Sequence, residues 1–103
     1  MEQNKRYEVT ILLPAYNEAG VIGETIRAIR ALHPDFEILV VDDGSTDNTM
    51  REAMEAGANV WPHPYNMGNG AAIKSGLRCA RGEWVLMMAA DGQHKPEDIA
   101  RLL

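Results

Sequence analysis

Residues 36–47 read FEILVVDDGSTD: an apolar run interrupted by one acid, then a burst of acids, a glycine and hydroxyls. Phe36–Val41 lacks the alternation of a strand with one wet face, which predicts a strand covered on both faces. Asp42-Asp43-Gly44-Ser45 supplies turn chemistry. Thr46–Ala56 then reads as a helix, with Ser45, Thr46 or Asp47 as N-cap and Gly57 as its C′ residue. A doubly covered strand that runs into a helix is the repeating unit of a parallel sheet.

The same unit recurs on either side. Val9–Leu13 (VTILL) is a strand closed by Pro14, and Val21, Ile22, Ile26, Ile29 and Leu32 follow at helical spacing until His33-Pro34 stops them. Downstream, Asn59–Trp61 is a shorter strand and 62–70 (PHPYNMGNG) is dense in turn residues. Ala71–Ala80 is helical, Trp84–Met88 (WVLMM) is a fourth strand, and a last helix begins near Lys95-Pro96. Right-handed crossovers then force an α/β fold: an open, mostly parallel sheet with helices on both faces. One domain spanning 1–103 is the simplest division.

Composition narrows the function. With 46% hydrophobic and 24% charged residues, the chain has the make-up of an ordinary globular protein. Its net charge of −5 and scattered basic residues offer no field for a nucleic-acid backbone. The single cysteine, Cys79, excludes an internal disulfide and a cysteine-based zinc site, which fits a reducing compartment. The polar start and the lack of a long apolar run point to a cytoplasmic protein with no membrane span in this chain.

Ligands of open parallel sheets bind beyond the carboxyl ends of the strands, where strand order reverses. Strand one ends in Pro14-Ala15-Tyr16-Asn17-Glu18, strand two in Asp42-Asp43-Gly44-Ser45, and strand four in Asp91-Gly92-Gln93-His94. Each cluster alone is ordinary loop and cap material. Acids gathered at one rim repel one another, however, unless a cation or the donors of a ligand share the space. Tyr16, Tyr65 and Trp61 read as packing residues, and His63 and His94 as groups that at most support others.

These motifs carry a resemblance. ILLPAYNEAGVI, ILVVDDGSTDNT, NMGNGAAIKSGL and GEWVLMMAADGQHKPEDI, in this order, resemble the nucleotide-binding half of a family 2 glycosyltransferase of the GT-A fold. The dolichol-phosphate and polyprenyl-phosphate sugar transferases are the most similar in pattern. The resemblance implies a truncated GT-A domain that binds a nucleoside-diphosphate sugar, GDP- or UDP-linked, with Mg²⁺ or Mn²⁺ on the diphosphate. It implies a lipid-phosphate or glycan acceptor, and a cytoplasmic location that in a full-length relative lies at the cytosolic membrane face. The backbone of Pro14, Ala15 and Tyr16 and the Glu18 carboxylate would border the nucleotide. Asp42 or Asp43 would accept from base or ribose, a role suited to a carboxylate that takes two donors side by side. Gly70 would let the backbone approach the donor, and Lys74 one turn later would reach a phosphate or base.

The metal motif departs from the pattern. The family has D-x-D at the end of strand four, whereas this chain has Ala89-Ala90-Asp91, so the resemblance leaves Asp91 and Gln93 as metal contacts. Mg²⁺ can work with one carboxylate plus phosphates and water, but the loss of one charge predicts weakened metal binding without nucleotide. No catalytic base is assigned. Two alternatives remain: an inactive nucleotide-binding module, or one that self-associates through an open sheet edge. A sugar-phosphate nucleotidyltransferase is disfavoured because the arginine-rich glycine loop after strand one is missing, and a dinucleotide fold because there is no GxGxxG.

Overall fold

The computed structural model describes residues 6–89. Four strands, β1 (Tyr7–Ala15), β2 (Glu37–Asp42), β3 (Asn59–Pro62) and β4 (Gly82–Met87), alternate with α1 (Ile22–Leu32), α2 (Thr49–Glu55) and α3 (Asn69–Cys79). All pairings are parallel and the spatial order is β3-β2-β1-β4, as the strand–helix alternation predicts. Strand order therefore reverses between β1 and β4. The helix expected near Lys95-Pro96 lies outside the described residues.

Strand periodicity sorts the core into two layers. Val9, Ile11, Leu13 and Ala15 of β1 and Ile38 and Val40 of β2 pack with Ile22, Ile26 and Ile29 of α1 and Ala53 of α2. The alternate residues Leu12, Leu39 and Val41 pack with Ala72 of α3 on the opposite face. Each fully buried isoleucine or leucine removes enough apolar surface from water to stabilise the fold by roughly 1.5–3 kcal/mol. Leu32 departs from its expected place on the core face of α1. It is the last residue of α1 and is 51% exposed. On the other face α3 lies close enough that a Cβ on Gly76 would stand 2.3 Å from Leu12 Cδ1, so glycine is required there for packing rather than for backbone freedom.

Pro14 does not end its strand as expected. It ends pairing on one side only. β1 stays in register with β2 through Pro14↔Val41 and Ala15↔Asp42. On the other side, Met88 N–H donates to Leu12 O at 3.0 Å. The next rung of a parallel ladder would be Pro14 N–H to Met88 O, and proline has no N–H. The pairing of β1 with β4 therefore ends at this point, while β1 runs on beside β2 alone.

At the other end of the sheet one buried acid joins all four strands. Glu37, 2% exposed, is the acid that interrupts the apolar run of β2. Its Oε1 accepts from Thr10 Oγ1 of β1 and from Arg81 N–H, both at 2.8 Å, and its Oε2 accepts from Asn59 Nδ2 of β3 at 2.8 Å. Gly82 N–H of β4 donates to the same Thr10 hydroxyl at 2.8 Å. Replacing Glu37 with leucine would strand these donors, so Glu37→Leu is expected to lower unfolding free energy by about 3 kcal/mol or more. Urea denaturation checks this, and an unchanged midpoint would contradict the assigned role.

Candidate nucleotide-binding cleft

A cleft of about 370 Å³ lies beyond the carboxyl ends of β1 and β2, lined by Pro14, Ala15, Tyr16 and Glu18 from the end of β1, by Asp43 after β2, and by Asn66, Gly68, Asn69 and Ala72 around the start of α3. That volume lies in the range of small-molecule sites. Several of the residues singled out in the sequence meet here, and their geometry separates those that face the cleft from those that build its walls.

Asp42 and Asp43 are both buried, each 5% exposed, but they turn to opposite faces as strand alternation requires. Asp42 follows Ile38 and Val40, and its Oδ1 accepts from Ser45 N–H at 3.3 Å, closing the turn that leads to α2. Asp43 follows Leu39 and Val41 toward α3 and lines the cleft. Its Oδ1 accepts from His63 Nδ1 at 2.7 Å and Met67 N–H at 2.9 Å, and its Oδ2 accepts from Gly68 N–H at 3.0 Å. Burial alone would raise the Asp43 pKa, but these donors outweigh it and hold the carboxyl below its ordinary 3.8. A carboxylate has about four lone-pair positions. Three are filled, so Asp43 has room for one further donor at Oδ2, not the two side by side that the sequence led us to expect.

The loop after β1 is held by the DDGSTDNT segment and by Glu52 of α2 just beyond it. Four successive N–H groups each find a side-chain oxygen there: Asn17 to Ser45 Oγ at 2.9 Å, Glu18 to Thr49 Oγ1 at 2.8 Å, Ala19 to Asp47 Oδ2 at 3.2 Å, and Gly20 to Glu52 Oε1 at 2.7 Å. In return Asn17, in the left-handed region at φ 54°, accepts from Thr46 N–H at 2.8 Å through Oδ1. Asp47 also accepts from the N–H and hydroxyl of Thr49, and the hydroxyl bond comes first among the causes that lower its pKa. Most of the hydroxyls and acids of this motif are thus structural, and α2 begins at Thr49, later than its expected start. Gly44, at φ 75°, is required twice over, because a Cβ there would lie 2.3 Å from the Tyr65 carbonyl carbon.

A Cβ added at Gly68, whose φ is 99°, or at Gly70 would meet nothing within 4 Å, so the space beside the first turn of α3 is open. That turn carries N–H groups without intrahelical acceptors and the positive end of the helix dipole. Lys74 is exposed on α3 and is not among the residues lining the cleft. Tyr16, Trp61 and Tyr65, expected to pack, are 43%, 49% and 63% exposed, because β3 is a sheet edge and the other two sit on connecting loops. His63 has a larger part than its sequence context suggests. It is buried, with Nε2 2.7 Å from Ser75 Oγ of α3 as well as Nδ1 on Asp43. Only its place among turn residues that the topology folds back toward β2 could have signalled this.

Asp91 and Gln93 lie outside the described residues. Among the described residues no group of three or more histidines, cysteines and acids is arranged to hold a metal ion. A second hollow, about 310 Å³ at the opposite end of the sheet, is lined by Arg30 and Glu37. Arg30 already donates to Phe36 O and Gly57 O, and Glu37 holds three donors, so these groups serve the fold. Burial pushes the Cys79 thiol up, and its side chain packs against the Leu12–Ala72 layer of the core.

Comparison with known proteins agrees with this arrangement. The sequence profile of glycosyl transferase family 2 matches residues 10–103. An uncharacterised protein of Methanocaldococcus jannaschii is 36% identical over 99 residues, 93% of this chain and 40% of that protein. An undecaprenyl-phosphate 4-deoxy-4-formamido-L-arabinose transferase of Pseudomonas fluorescens is 37% identical over 106 aligned positions, 92% of this chain and 31% of the transferase. Among solved structures, a mannosyltransferase of Pyrobaculum calidifontis in complex with GDP-Man and Mn²⁺ superposes with a TM-score of 0.75 at 29% identity, covering 86% of this chain and 29% of that one. Glucosyl-3-phosphoglycerate synthase of Mycobacterium tuberculosis in complex with UDP gives 0.78 at 28% identity, covering 95% and 39%. The chain thus spans 31–40% of the length of these curated relatives. With the family profile matched over nearly all of its length and a GT-A-like parallel sheet, the chain belongs to glycosyl transferase family 2.

Proposed function

We propose that this chain forms the donor-nucleotide-binding part of a glycosyltransferase that passes a sugar from a GDP- or UDP-linked donor to a lipid phosphate or glycan hydroxyl. The cleft beyond the carboxyl ends of β1 and β2, walled on its far side by the start of α3, is the observation that carries this reading. It brings Pro14–Tyr16, Glu18, one open acceptor position on Asp43 and the N-terminal turn of α3 around a space of nucleotide scale. The GDP-mannose and UDP bound in the two solved structures, and the undecaprenyl phosphate in the arabinose transferase's name, support the substrate classes.

In this reading Asp43 Oδ2 takes one N–H or O–H of the base or ribose, and Tyr16 flanks the base. Asp42 shapes the adjoining turn, Gly70 leaves room for the donor, and Lys74 contributes charge at longer range. Asp91 and Gln93 would hold Mg²⁺ or Mn²⁺ against the diphosphate, where a cation offsets the charge that develops on the leaving group. During transfer the bond from the anomeric carbon to the diphosphate oxygen breaks and a bond to the acceptor oxygen forms. An already ionised phosphate acceptor needs no base, whereas a hydroxyl must give up its proton to one.

No helix among the described residues is long and apolar enough to cross a membrane. We place the domain in the cytoplasm, with lipid-phosphate acceptors met at the membrane face. A second reading, a module that binds nucleotide without transfer or that self-associates, draws on β4, the edge of the described sheet, where Trp84 is 65% and Met87 52% exposed. Sedimentation as a dimer without donor hydrolysis would favour it.

Calorimetry with GDP and UDP, each with and without Mn²⁺, should show saturable binding to one of the two. Tyr16→Ala should weaken that binding about fivefold to 150-fold at unchanged thermal stability, since base–aromatic stacking contributes about 1–3 kcal/mol and the side chain lies outside the core. Silence with both nucleotides would overturn the proposal. The lowered pKa of Asp43 fixes the sign of a pH effect. Its contribution to stability is fully present above the unfolded value of 3.8 and is lost as pH falls through the lower folded value. Asp43→Asn should therefore show a shallower loss of stability than the unaltered protein below pH 3.8, measured by thermal melts across an acid series.

A further inference from the structure

The pair of hydrogen bonds on His63 has no counterpart in the proposal above. The ring is buried, bonded at Nδ1 to Asp43 Oδ1 and at Nε2 to Ser75 Oγ, both at 2.7 Å. Because the ionised carboxylate only accepts, Nδ1 must carry a proton. Nε2 then accepts from the Ser75 hydroxyl, or donates to it when the ring is charged, and the rotating hydroxyl satisfies either state. His63 N–H also donates to Asp42 O at 2.8 Å, which fixes the backbone of the segment against the end of β2. The Asp43–His63–Ser75 chain thus runs from the carboxyl end of β2 to the second turn of α3, and the same carboxylate grips Met67 and Gly68 just ahead of that helix.

We propose that His63 is a positioning residue: it holds the Asp43 carboxylate in the one orientation that both anchors Met67 and Gly68 and leaves an Oδ2 position directed at the cleft. It acts through Asp43 and does not touch the nucleotide. Three observations support this. The ring does not line the cleft, whereas its partner Asp43 does. Gly68 and Asn69 do line it, so any rotation of the carboxylate moves the cleft wall. Among the described residues no buried side-chain polar atom lacks a partner, so no buried side-chain donor is left over to hold the carboxylate in another orientation. The consequence for ligand binding rests on the nucleotide-binding reading, but the consequence for the loop does not.

Two substitutions separate the ends of the ring. In His63→Asn the amide nitrogen falls near the position of Nδ1 and can still donate to Asp43. In His63→Gln the longer side chain reaches toward Ser75 and forsakes Asp43. Amide hydrogen exchange on the nucleotide-free protein should show protection at Met67 and Gly68 reduced about tenfold in His63→Gln and restored to within about threefold in His63→Asn, the tenfold step corresponding to one charge-assisted bond. Calorimetry with the nucleotide that binds should show the same split in Kd.

Equal protection at Met67 and Gly68 in both variants would overturn the proposal, even if both bind nucleotide normally. The expected exchange pattern without binding of GDP or UDP to any form would instead support the positioning role and remove the nucleotide reading. If His63→Gln does not fold, Ser75→Ala keeps the test open, since it leaves the ring on Asp43 and removes only its other partner. Protection retained at Met67 and Gly68 but lowered in the second turn of α3, around Ser75, supports the chain of contacts, and unchanged protection throughout overturns it.

Discussion

The architecture depends on a buried carboxylate at each end of β2. Glu37 at the start and Asp43 just past the end each hold three donors drawn from distant parts of the chain. Apolar packing is non-directional and would tolerate strands sliding along one another, whereas a carboxylate with fixed donors does not. Burying an acid costs free energy unless its lone pairs are met. The expense is offset here by satisfying both oxygens in each case, and the result is one strand that fixes the stagger of the others at the bottom and the shape of the cleft at the top.

The two ends serve different purposes. At Glu37 every contact is internal, and the adjacent hollow has its polar groups already engaged. At Asp43 one acceptor position stays open beside a helix N-terminus. A site for a small anionic ligand needs this combination of a rigid wall and an unfilled position, because donors that must reorganise on binding give up part of the interaction energy. The interlocking loops after β1 and β2 extend the same logic, since four consecutive N–H groups are fixed before any ligand arrives.

Much of the fold was legible in the sequence because it depends on local periodicity and turn chemistry. The doubly apolar β2, the helical spacing of Ile22, Ile26 and Ile29, and Gly57 at φ 95° after α2 are all local signals. The functional geometry was only partly legible. Pro14, Tyr16, Glu18 and Asp43 could be placed at the strand ends, but which aspartate faced inward depended on where the strand stopped. The His63–Ser75 contact and the Glu37 network join residues 12 to 44 positions apart, and no window along the chain reports such pairs. One clue was available: an acid inside FEILVV must find partners if both faces of its strand are covered. The exposed aromatics depart from expectation because Trp61 lies on β3, an edge of the described sheet, and Tyr16 and Tyr65 lie on connecting loops.

Proline at position 14 has a consequence for strand pairing. The ladder between β1 and β4 lacks its next backbone hydrogen bond past Met88, because the donor that would make it was never part of the residue. That end of the ladder is therefore set by covalent structure, and β1 carries its register on with β2 alone, up to the residues that wall the cleft.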